Sequence, residues 1–301
     1  MKKLILFVGF LLSFSIGSYG ETISIVADND LWGNVHTDQH YTHGTAFSYA
    51  STNYIDNFYS DFISKIIGET TKSTINIGQY LYSPRDITET EYQPDDRKFG
   101  GILYLGYGLH SEKEKSSQFI ELDLGVIGHY SFGEETQKAV HKAIDSQPPE
   151  GWEHQVSERA SVNLTYQYKN KLFRWKDNLD IINSIGGSIG NVHVMANAGS
   201  MIRAGLNVPR DFGSLKLEPV PRGLFKSFSL YGICGAEGRA VGYNVFLDGL
   251  EKEPFVGEHY YGFGAGVSKI DIKYLHTIRT EEFALQEDDN NFGSFTVTFT
   301  F

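Results

Sequence analysis

The sequence is poor in cysteine, in positive charge and in long apolar runs. It has 301 residues with one cysteine, Cys234, and 26 Lys+Arg against 37 Asp+Glu, a formal net charge of −11. A single cysteine cannot form an intramolecular disulfide or a cysteine-based zinc cage, so any metal site must use oxygen and nitrogen ligands. Nucleic-acid binders usually carry a basic face, so we expect no nucleic-acid partner.

The low hydropathy excludes a helical membrane protein. Mean hydropathy is −0.28, and no stretch after residue 20 approaches the roughly twenty apolar residues that a spanning helix needs. A transmembrane β-barrel is not excluded, because its strands alternate apolar with polar residues and their average is hydrophilic.

The first residues have the three-part plan of a secretory signal peptide. Lys2 and Lys3 precede the apolar run 4–14, and small and polar residues follow up to Gly20. The apolar run is too short to span a bilayer as a helix. We predict a cleavable signal peptide over residues 1–20 and export from a bacterial cytoplasm. An uncleaved membrane anchor is the alternative.

Period-two alternation recurs through the rest of the chain. Apolar and polar side chains alternate over 117–127, over 157–169 and over 295–301. The pattern predicts an all-β fold for residues 21–301, and we interpret it as a transmembrane antiparallel β-barrel of about twelve strands. A soluble β-sandwich also alternates and is the alternative.

Two further features favour the membrane. The polar faces carry acids and amides, as a water-filled lumen allows, and aromatic residues such as Tyr166 and the pair Tyr260-Tyr261 lie near strand ends, where an interfacial girdle would be. The predicted strands are 21–30, 42–51, 74–83, 98–109, 116–127, 157–169, 171–187, 191–206, 225–240, 258–267, 270–281 and 291–301. An even number places both ends of the barrel chain in the periplasm.

This orientation gives six outer connections, at 31–41, 84–97, 128–156, 188–190, 241–257 and 282–290. The one at 128–156 predicts a short helix, because Ser131 and Glu134 have capping-box spacing and Pro148-Pro149 would stop it. The sequence Lys169-Asn170-Lys171 is predicted to be an inner turn.

Oxygen-rich side chains cluster at the predicted outer rim. Asp28, Asn29 and Asp30 end the first strand, and Asp38 and Thr42 lead into the second. Carboxylate, amide and hydroxyl oxygens are ligands that Ca²⁺ prefers. A polar loop of turn-forming residues is the alternative. Strict alternation cannot turn both Asn29 and Asp30 inward, so a bulge or a strand end must reorient one of them.

His141 lies in the predicted outer-loop helix. Histidine is the side chain best suited to accept a proton near neutral pH, although the chain has ten histidines and a surface role is the alternative. The segment 186–190 matches the nucleophile pattern G-x-S-x-G, but that motif needs a helix after the turn. A strand is predicted there instead, so we reject Ser188 as a nucleophile and expect a tight outer hairpin of small residues.

The order of several short motifs resembles the outer-membrane lipid A 3′-O-deacylases, twelve-stranded barrels of Gram-negative bacteria. The resemblance covers nearly the whole mature chain. The matching motifs are Ala27-Asp28-Asn29-Asp30, Tyr41-Thr42-x-Gly44, Tyr82-Ser83-Pro84, Asp96-Arg97 with Phe99, Gly125-Val126-Ile127-Gly128, the helix with His141, Gly151-Trp152 with Gln155, and Gly190-Asn191.

The resemblance implies Ca²⁺-dependent removal of the 3′-linked acyl group of lipid A in the outer membrane. It places the family's Asn-Asp pair on Asn29 and Asp30, its active-site threonine on Thr42 and its essential histidine on His141. His141 would be the general base, Asp30 and Asn29 would hold Ca²⁺ near the ester carbonyl, and Asn29 and Thr42 would orient the reacting groups. We expect a monomer whose partners are lipopolysaccharide and outer-membrane lipids.

Two positions depart from the family pattern. Members of the family carry a lysine in the second outer loop, where Glu89 is the nearest residue in spacing here, and a glutamate after the histidine helix, where this chain has Gln147. The missing lysine would affect how an anionic substrate is positioned more than it would affect the reaction itself. An outer-membrane phospholipase and a non-enzymatic porin or adhesin barrel remain the alternative functions.

Overall fold

A closed barrel forms the body of the protein in the computed structural model, which describes residues 21–33, 38–52, 58–213 and 228–301. The predicted signal peptide, 1–20, lies outside the described residues. Within them, twelve antiparallel strands follow one another in sequence order. They are β1 (Thr22–Asn29), β2 (His40–Ser51), β3 (Lys72–Ser83), β4 (Gly100–Glu112), β5 (Ser116–Ile127), β6 (Arg159–Trp175), β7 (Leu179–Gly190), β8 (His193–Leu206), β9 (Ser229–Asn244), β10 (Phe255–Val267), β11 (Ile270–Arg279) and β12 (Asn290–Thr300).

The barrel closes where β12 pairs with β1, from Thr22 opposite Thr300 to Asn29 opposite Gly293. Closure leaves the sheet without an exposed edge. The predicted twelve-stranded antiparallel barrel is therefore confirmed, and the β-sandwich is not formed. Among the described residues, no helix is long and apolar enough to cross a membrane.

The two ends of the barrel differ in their connections. At the end where β1 begins, three turns are short, at 113–115, 176–178 and 268–269, whereas the opposite end carries the long segments 84–99 and 128–158. Outer-membrane barrels have short periplasmic turns and longer outer loops. The long-loop end is therefore the outer end.

Alternation along the strands separates the two faces of the barrel wall. Leu105, Leu124 and Ile185 are exposed on the outer wall, while Asn163 and Asn197 are buried on the lumen side. The aromatic prediction is partly wrong at Tyr260, which is buried inside the barrel, because Tyr261 takes the outward position of that strand.

Three local predictions are wrong. Lys169-Asn170-Lys171 does not turn, because β6 absorbs a bulge near Lys171 and continues to Trp175. Segment 186–190 is not a hairpin, because β7 runs to Gly190 and the turn follows at 191–192. Ser131 does not cap the predicted helix: its Oγ donates to the carbonyl oxygen of Gly128 at 2.6 Å.

Two α-helices lie in the described connections. The predicted outer-loop helix is present as α2 (Gly133–Ile144), and it ends before the prolines because Asp145 adopts a left-handed conformation with φ 56°. The other, α1 (Phe58–Ile67), lies in the inner connection between β2 and β3. The sequence pattern did not predict α1. The segment between the predicted strands 42–51 and 74–83 was expected to be an inner connection without a helix.

Near its periplasmic end the lumen side of the barrel wall carries an ion-pair cluster around Arg203 of β8. Arg203 Nε and Nη2 donate to the two carboxylate oxygens of Asp180 at 3.0 and 2.8 Å, and Nη1 contacts Asp211 Oδ1 at 2.5 Å. The segment 207–213 folds into the barrel mouth, where Lys169 Nζ donates to the carbonyl of Gly213 at 3.0 Å. The cluster therefore fixes the segment 207–213 in the periplasmic mouth of the barrel.

Removing Arg203 tests how much this cluster contributes. We expect Arg203→Ala to lower the free energy of unfolding by about 3–5 kcal/mol, because it removes a bonded guanidinium from the buried carboxylates of Asp180 and Asp211, while the contact between Arg174 and Asp180 remains. Urea unfolding followed by heat-modifiable gel mobility measures the change. The control is Arg210→Ala, which removes a side chain that is 81% exposed in its pair with Asp177 and should change stability by less than about 1 kcal/mol.

Candidate active site at the outer rim

The first strand ends in a tight turn that separates two neighbouring side chains. After Asn29 the chain enters a 3-10 turn, Asp30–Trp32, and the Asn29 Oδ1 atom caps it by accepting from the backbone N–H of Leu31 at 3.0 Å. The Asn29 Nδ2 group donates to the carbonyl oxygen of Thr42 at 3.0 Å. The strand thus ends between Asn29 and Asp30, which is the irregularity that would be needed for both residues to act in one site.

A bulge in β2 places Thr42. The register between β2 and β3 shifts between Tyr41 and His43, so Thr42 is the extra residue. Its hydroxyl lies 3.4 Å from the carbonyl of Leu81 and 3.5 Å from Ser83 Oγ. Two residues on, a Cβ at Gly44 would collide with the Tyr41 hydroxyl, which explains the glycine of the Tyr-Thr-x-Gly motif.

Helix α2 presents His141 toward this rim, and residues outside the helix contact both nitrogens of its ring. Nδ1 lies 2.5 Å from the backbone carbonyl oxygen of Gln147. A carbonyl can only accept, so Nδ1 carries a proton. Nε2 lies 2.5 Å from Asp38 Oδ2, which brings outer loops distant in sequence into direct contact.

Gln137 ties the helix to the barrel one turn before His141. Its Nε2 group donates to Ser83 Oγ at 2.9 Å and contacts Asp38 Oδ1 at 3.3 Å. Its Oε1 atom accepts from the indole N–H of Trp152 at 2.9 Å. Because Gln137 is buried and bonded at both ends, it fixes the height of α2 above β3.

These elements enclose a pocket of about 20 Å³, which has room for one ordered water. All four residues predicted from the sequence line it, so the structure brings them together. The full lining is Asn29, Asp30, Leu31, Asp38, Thr42, His43, Leu81, Gln137, Val140, His141 and Ile144.

The two acids of the pocket are in an unfavourable electrostatic setting. Burial raises the pKa of Asp30 well above its usual range, and the negative charge of Asp38 raises it further. Burial also raises the pKa of Asp38, while His141 opposes the shift. A nearby cation would offset both effects, because it favours the charged form of each carboxylate.

The donor set can be tested for its fit to Ca²⁺. Asp30 is 2% exposed and its Oδ2 atom has no hydrogen-bond partner in the described residues. Within that same part of the chain, no group of three or more His, Cys, Asp or Glu side chains is arranged around a metal position. The residues therefore fit a hard cation that takes one buried carboxylate, neighbouring oxygens and water.

The sequence matches the model of one protein family, described as "Outer membrane protein LpxR", over residues 4–301. This chain belongs to the LpxR family. A comparison with curated proteins finds no match.

A solved structure of this family has the same fold. LpxR from Salmonella typhimurium superposes with a TM-score of 0.78 at 20% identity, over 93% of this chain and 100% of that one. Together with the family match, this makes the chain an outer-membrane β-barrel of the LpxR family. Two other barrels superpose less well. The KdgM porin, at 7% identity, covers 93% of this chain and 99% of its own, with a TM-score of 0.40. The β domain of the Bordetella autotransporter BrkA, at 9% identity, covers 95% and 99%, with a TM-score of 0.41.

Two pocket residues were missed or underrated in the sequence. Asp38 was only part of a polar group and Gln137 was not singled out, because the contacts to His141 and Ser83 join separate loops. Gln147, which departs from the LpxR-family glutamate, contacts His141 through its backbone oxygen, so this contact does not depend on its side chain. Glu89 is exposed in the outer segment 84–99 and is not among the pocket residues.

A buried ion-pair chain supports the rim next to the pocket. Arg97 Nη2 donates to Glu282 Oε2 at 2.9 Å, and Arg279 contacts the other oxygen of Glu282 at 3.4 Å. Arg279 also lies over the ring of Tyr41, whose hydroxyl donates to Asp28 Oδ2 at 2.8 Å. The chain of contacts therefore reaches the end of β1, where the pocket begins.

Glu282 should make the stability of the barrel depend on acid pH. Burial alone would raise its pKa, but Arg279 and Arg97, with His40, lower the pKa to about 2. The unfolded value is about 4.3, so folding gains about 3 kcal/mol above roughly pH 5, and this gain is lost as pH falls toward 2. We expect Glu282→Gln to remove that acid-dependent loss and to lower stability at neutral pH.

Urea unfolding between pH 7 and pH 3 measures the effect. The control is Glu287→Gln, since Glu287 is 68% exposed in its pair with Arg85 and should leave the curve unchanged. A parallel pH dependence in wild type and Glu282→Gln would show that the ion-pair chain does not depend on Glu282.

Proposed function

We propose that the protein hydrolyses the 3′-linked acyl ester of lipid A in the outer leaflet of the Gram-negative outer membrane, as a Ca²⁺-dependent deacylase. Membership of the LpxR family supports this function. The observation that carries it is the pocket at the outer rim, where a histidine held at both ring nitrogens meets a buried, partly unpaired carboxylate.

The general base in this proposal is His141. The carbonyl of Gln147 holds one proton on Nδ1, and a second proton lies between Nε2 and Asp38 Oδ2, which are 2.5 Å apart. Nε2 gains the lone pair that accepts a proton from water once Asp38 moves off and this shared proton is lost to water. The water adds to the ester carbonyl, and the imidazolium returns its proton to the sugar oxygen as the ester bond breaks. No serine nucleophile takes part.

Asp38 has two effects on this base. Its negative charge stabilises the positive charge that forms on His141 when the ring takes a proton, but it acts from the side of Nε2, whereas the aspartate of a catalytic triad bonds Nδ1. Asp38 also occupies the position next to Nε2 that the water needs. Asp38 must therefore move off Nε2 when substrate binds, and the pocket has room for the water that replaces it.

The proposed Ca²⁺ would be held by Asp30 and by oxygens of Asn29 and Asp38. When bound, it supplies a Lewis acid that draws negative charge from the ester carbonyl oxygen. The unpartnered oxygen of Asp30 supports this assignment. Asn29 fixes the Thr42 backbone through its amide group, and Thr42 places its hydroxyl on the pocket wall, so both orient the reacting groups.

The alternative functions find less support. A phospholipase of the serine type needs a serine hydroxyl on its histidine, whereas the nitrogens of His141 contact a backbone carbonyl and Asp38. A passive porin does not need a histidine held between a carboxylate and a backbone carbonyl at its outer rim, and this chain has one.

Mass spectrometry of lipid A tests the proposed function. Expression of the chain in a Gram-negative host should remove one acyl group from lipid A, EGTA-treated membranes should lose the activity, and added Ca²⁺ should restore it. His141→Ala should lower the rate by about 10²–10⁴-fold, because a general base contributes about that much. An unchanged lipid A profile with a folded barrel and Ca²⁺ present would refute the deacylase assignment.

The control for this variant is His154→Ala, which removes a half-exposed histidine from the same outer loop and should leave the rate unchanged. Heat-modifiable gel mobility shows that each variant folds. Full activity in folded His141→Ala would remove His141 from the mechanism and leave the substrate assignment intact.

Asp38→Asn separates charge stabilisation from ring placement. We expect kcat to fall by about 10- to 100-fold with KM unchanged, because the amide keeps the shape but not the charge, and Gln147 still fixes the tautomer. The matched control is Asp145→Asn, at the exposed end of α2, where asparagine also tolerates the left-handed backbone. A rate equal to that of wild type would mean that Asp38 only occupies Nε2 in the resting enzyme.

A further inference from the structure

Helix α1 lies against the outside of the barrel. Ile63 and Ile67 are 3% and 1% exposed, and they pack with Leu109 of β4 and Ile120 of β5. Leu109 shares its strand face with Leu105, which is exposed on the outer wall, because residues an even number apart point the same way. Leu109 is buried on that wall only because the helix covers it.

The helix lies at the level where the periplasmic membrane surface is expected. Leu109 and Ile120 come within a few residues of the short turn 113–115 that joins β4 to β5. Tyr59, Tyr107 and Tyr166 pack around the same contact. Aromatic residues concentrate at the membrane interface of outer-membrane barrels.

Polar contacts fix the end of α1 on this wall. The Gln118 Nε2 group donates to the carbonyl oxygen of Ile67 at 2.9 Å. The Tyr166 hydroxyl in turn donates to Gln118 Oε1 at 2.9 Å. One of the unpaired carbonyls at the helix end is thereby satisfied, and the helix is held against the barrel wall.

A second apolar ridge on α1 has no partner among the described residues. Phe58, Phe62 and Ile66 are 87%, 52% and 53% exposed. Residues four apart lie on one side of a helix, so these three side chains form a ridge beside the face that packs on the barrel. Asp61 and Lys65 lie on the side opposite Ile63 and give the helix a polar face.

We propose that α1 is an interfacial helix whose ridge of Phe58, Phe62 and Ile66 is embedded among the acyl chains of the periplasmic leaflet. Leu105 and Leu124 are exposed on the same outer face of the two strands whose Leu109 and Ile120 the helix covers, so one lipid layer can cover both the wall and the ridge. Apolar residues on one flank with charges on the other are typical of helices that lie in a membrane surface.

The position of the helix has a consequence for the barrel. A barrel can tilt or shift along the membrane normal at small cost when its apolar band and the bilayer differ in height. An embedded helix at the periplasmic surface opposes that shift on the β4–β5 side. This inference concerns membrane placement and is independent of the deacylase activity.

Fluorescent labelling of the full-length protein in phosphatidylcholine vesicles tests the proposal. In a Cys234→Ser background, Phe62→Cys and Ile66→Cys carry an environment-sensitive label on the ridge, and Asp61→Cys and Lys65→Cys carry it on the polar face. We expect quenching by acyl-chain spin labels to be about threefold or more stronger on the ridge, and quenching by iodide to be stronger on the polar face.

Other outcomes would overturn the proposal. Iodide quenching that is equal at all four positions would place the ridge in water. Protection of the ridge that rises with protein-to-lipid ratio would mean that a second copy covers it. Labelling two positions on each face keeps the test valid if one variant fails to fold, which heat-modifiable mobility reveals.

Discussion

A bilayer offers the backbone no hydrogen-bond partner, and the structure depends on meeting that constraint. Each strand is paired on both sides, and the ring closes where β1 meets β12. Successive side chains of a strand point to opposite faces, so in the closed ring acids and amides face the lumen and apolar residues face lipid. The strand ends are then fixed at one height, and irregular backbone is confined to the rims.

The outer rim gains its chemistry from departures from that regular pairing. Asp30 leaves the plane of β1 because the strand ends one residue earlier, and Thr42 turns toward the pocket because β2 carries a bulge. A regular ladder would place neighbouring residues on opposite faces. Two local irregularities and one docked helix are therefore what let residues from three loops share a pocket of about 20 Å³.

How much of the structure could be predicted from the sequence depends on how far apart in the chain the interacting residues lie. Alternation is local, so the barrel, the strand number and the rim positions of Asn29, Asp30, Thr42 and His141 could be predicted. The turn predicted at Lys169-Asn170-Lys171 was wrong, because β6 continues past a bulge and pairs with β7 as far as Trp175. Helix α1 was not predicted, because its apolar residues form two ridges, one packed on the barrel wall and one exposed, and do not form a single apolar stripe. The partnership of Asp38 with His141 has no sequence signal at all.

The pocket buries two carboxylates, and contacts from neighbouring residues offset the electrostatic cost of that burial. Burial raises the pKa of both Asp30 and Asp38; the charge of Asp38 raises the pKa of Asp30 further, while His141 opposes the shift of Asp38. The surrounding contacts are rigid: Gln137 is bonded to three partners, and the ion-pair chain from Arg97 to Arg279 supports the strand ends. These contacts keep the strand ends that carry the two acids close together. The proposed Ca²⁺ would relieve the resulting repulsion, and a positive charge at this place is also what an ester hydrolase needs in order to stabilise a developing oxyanion.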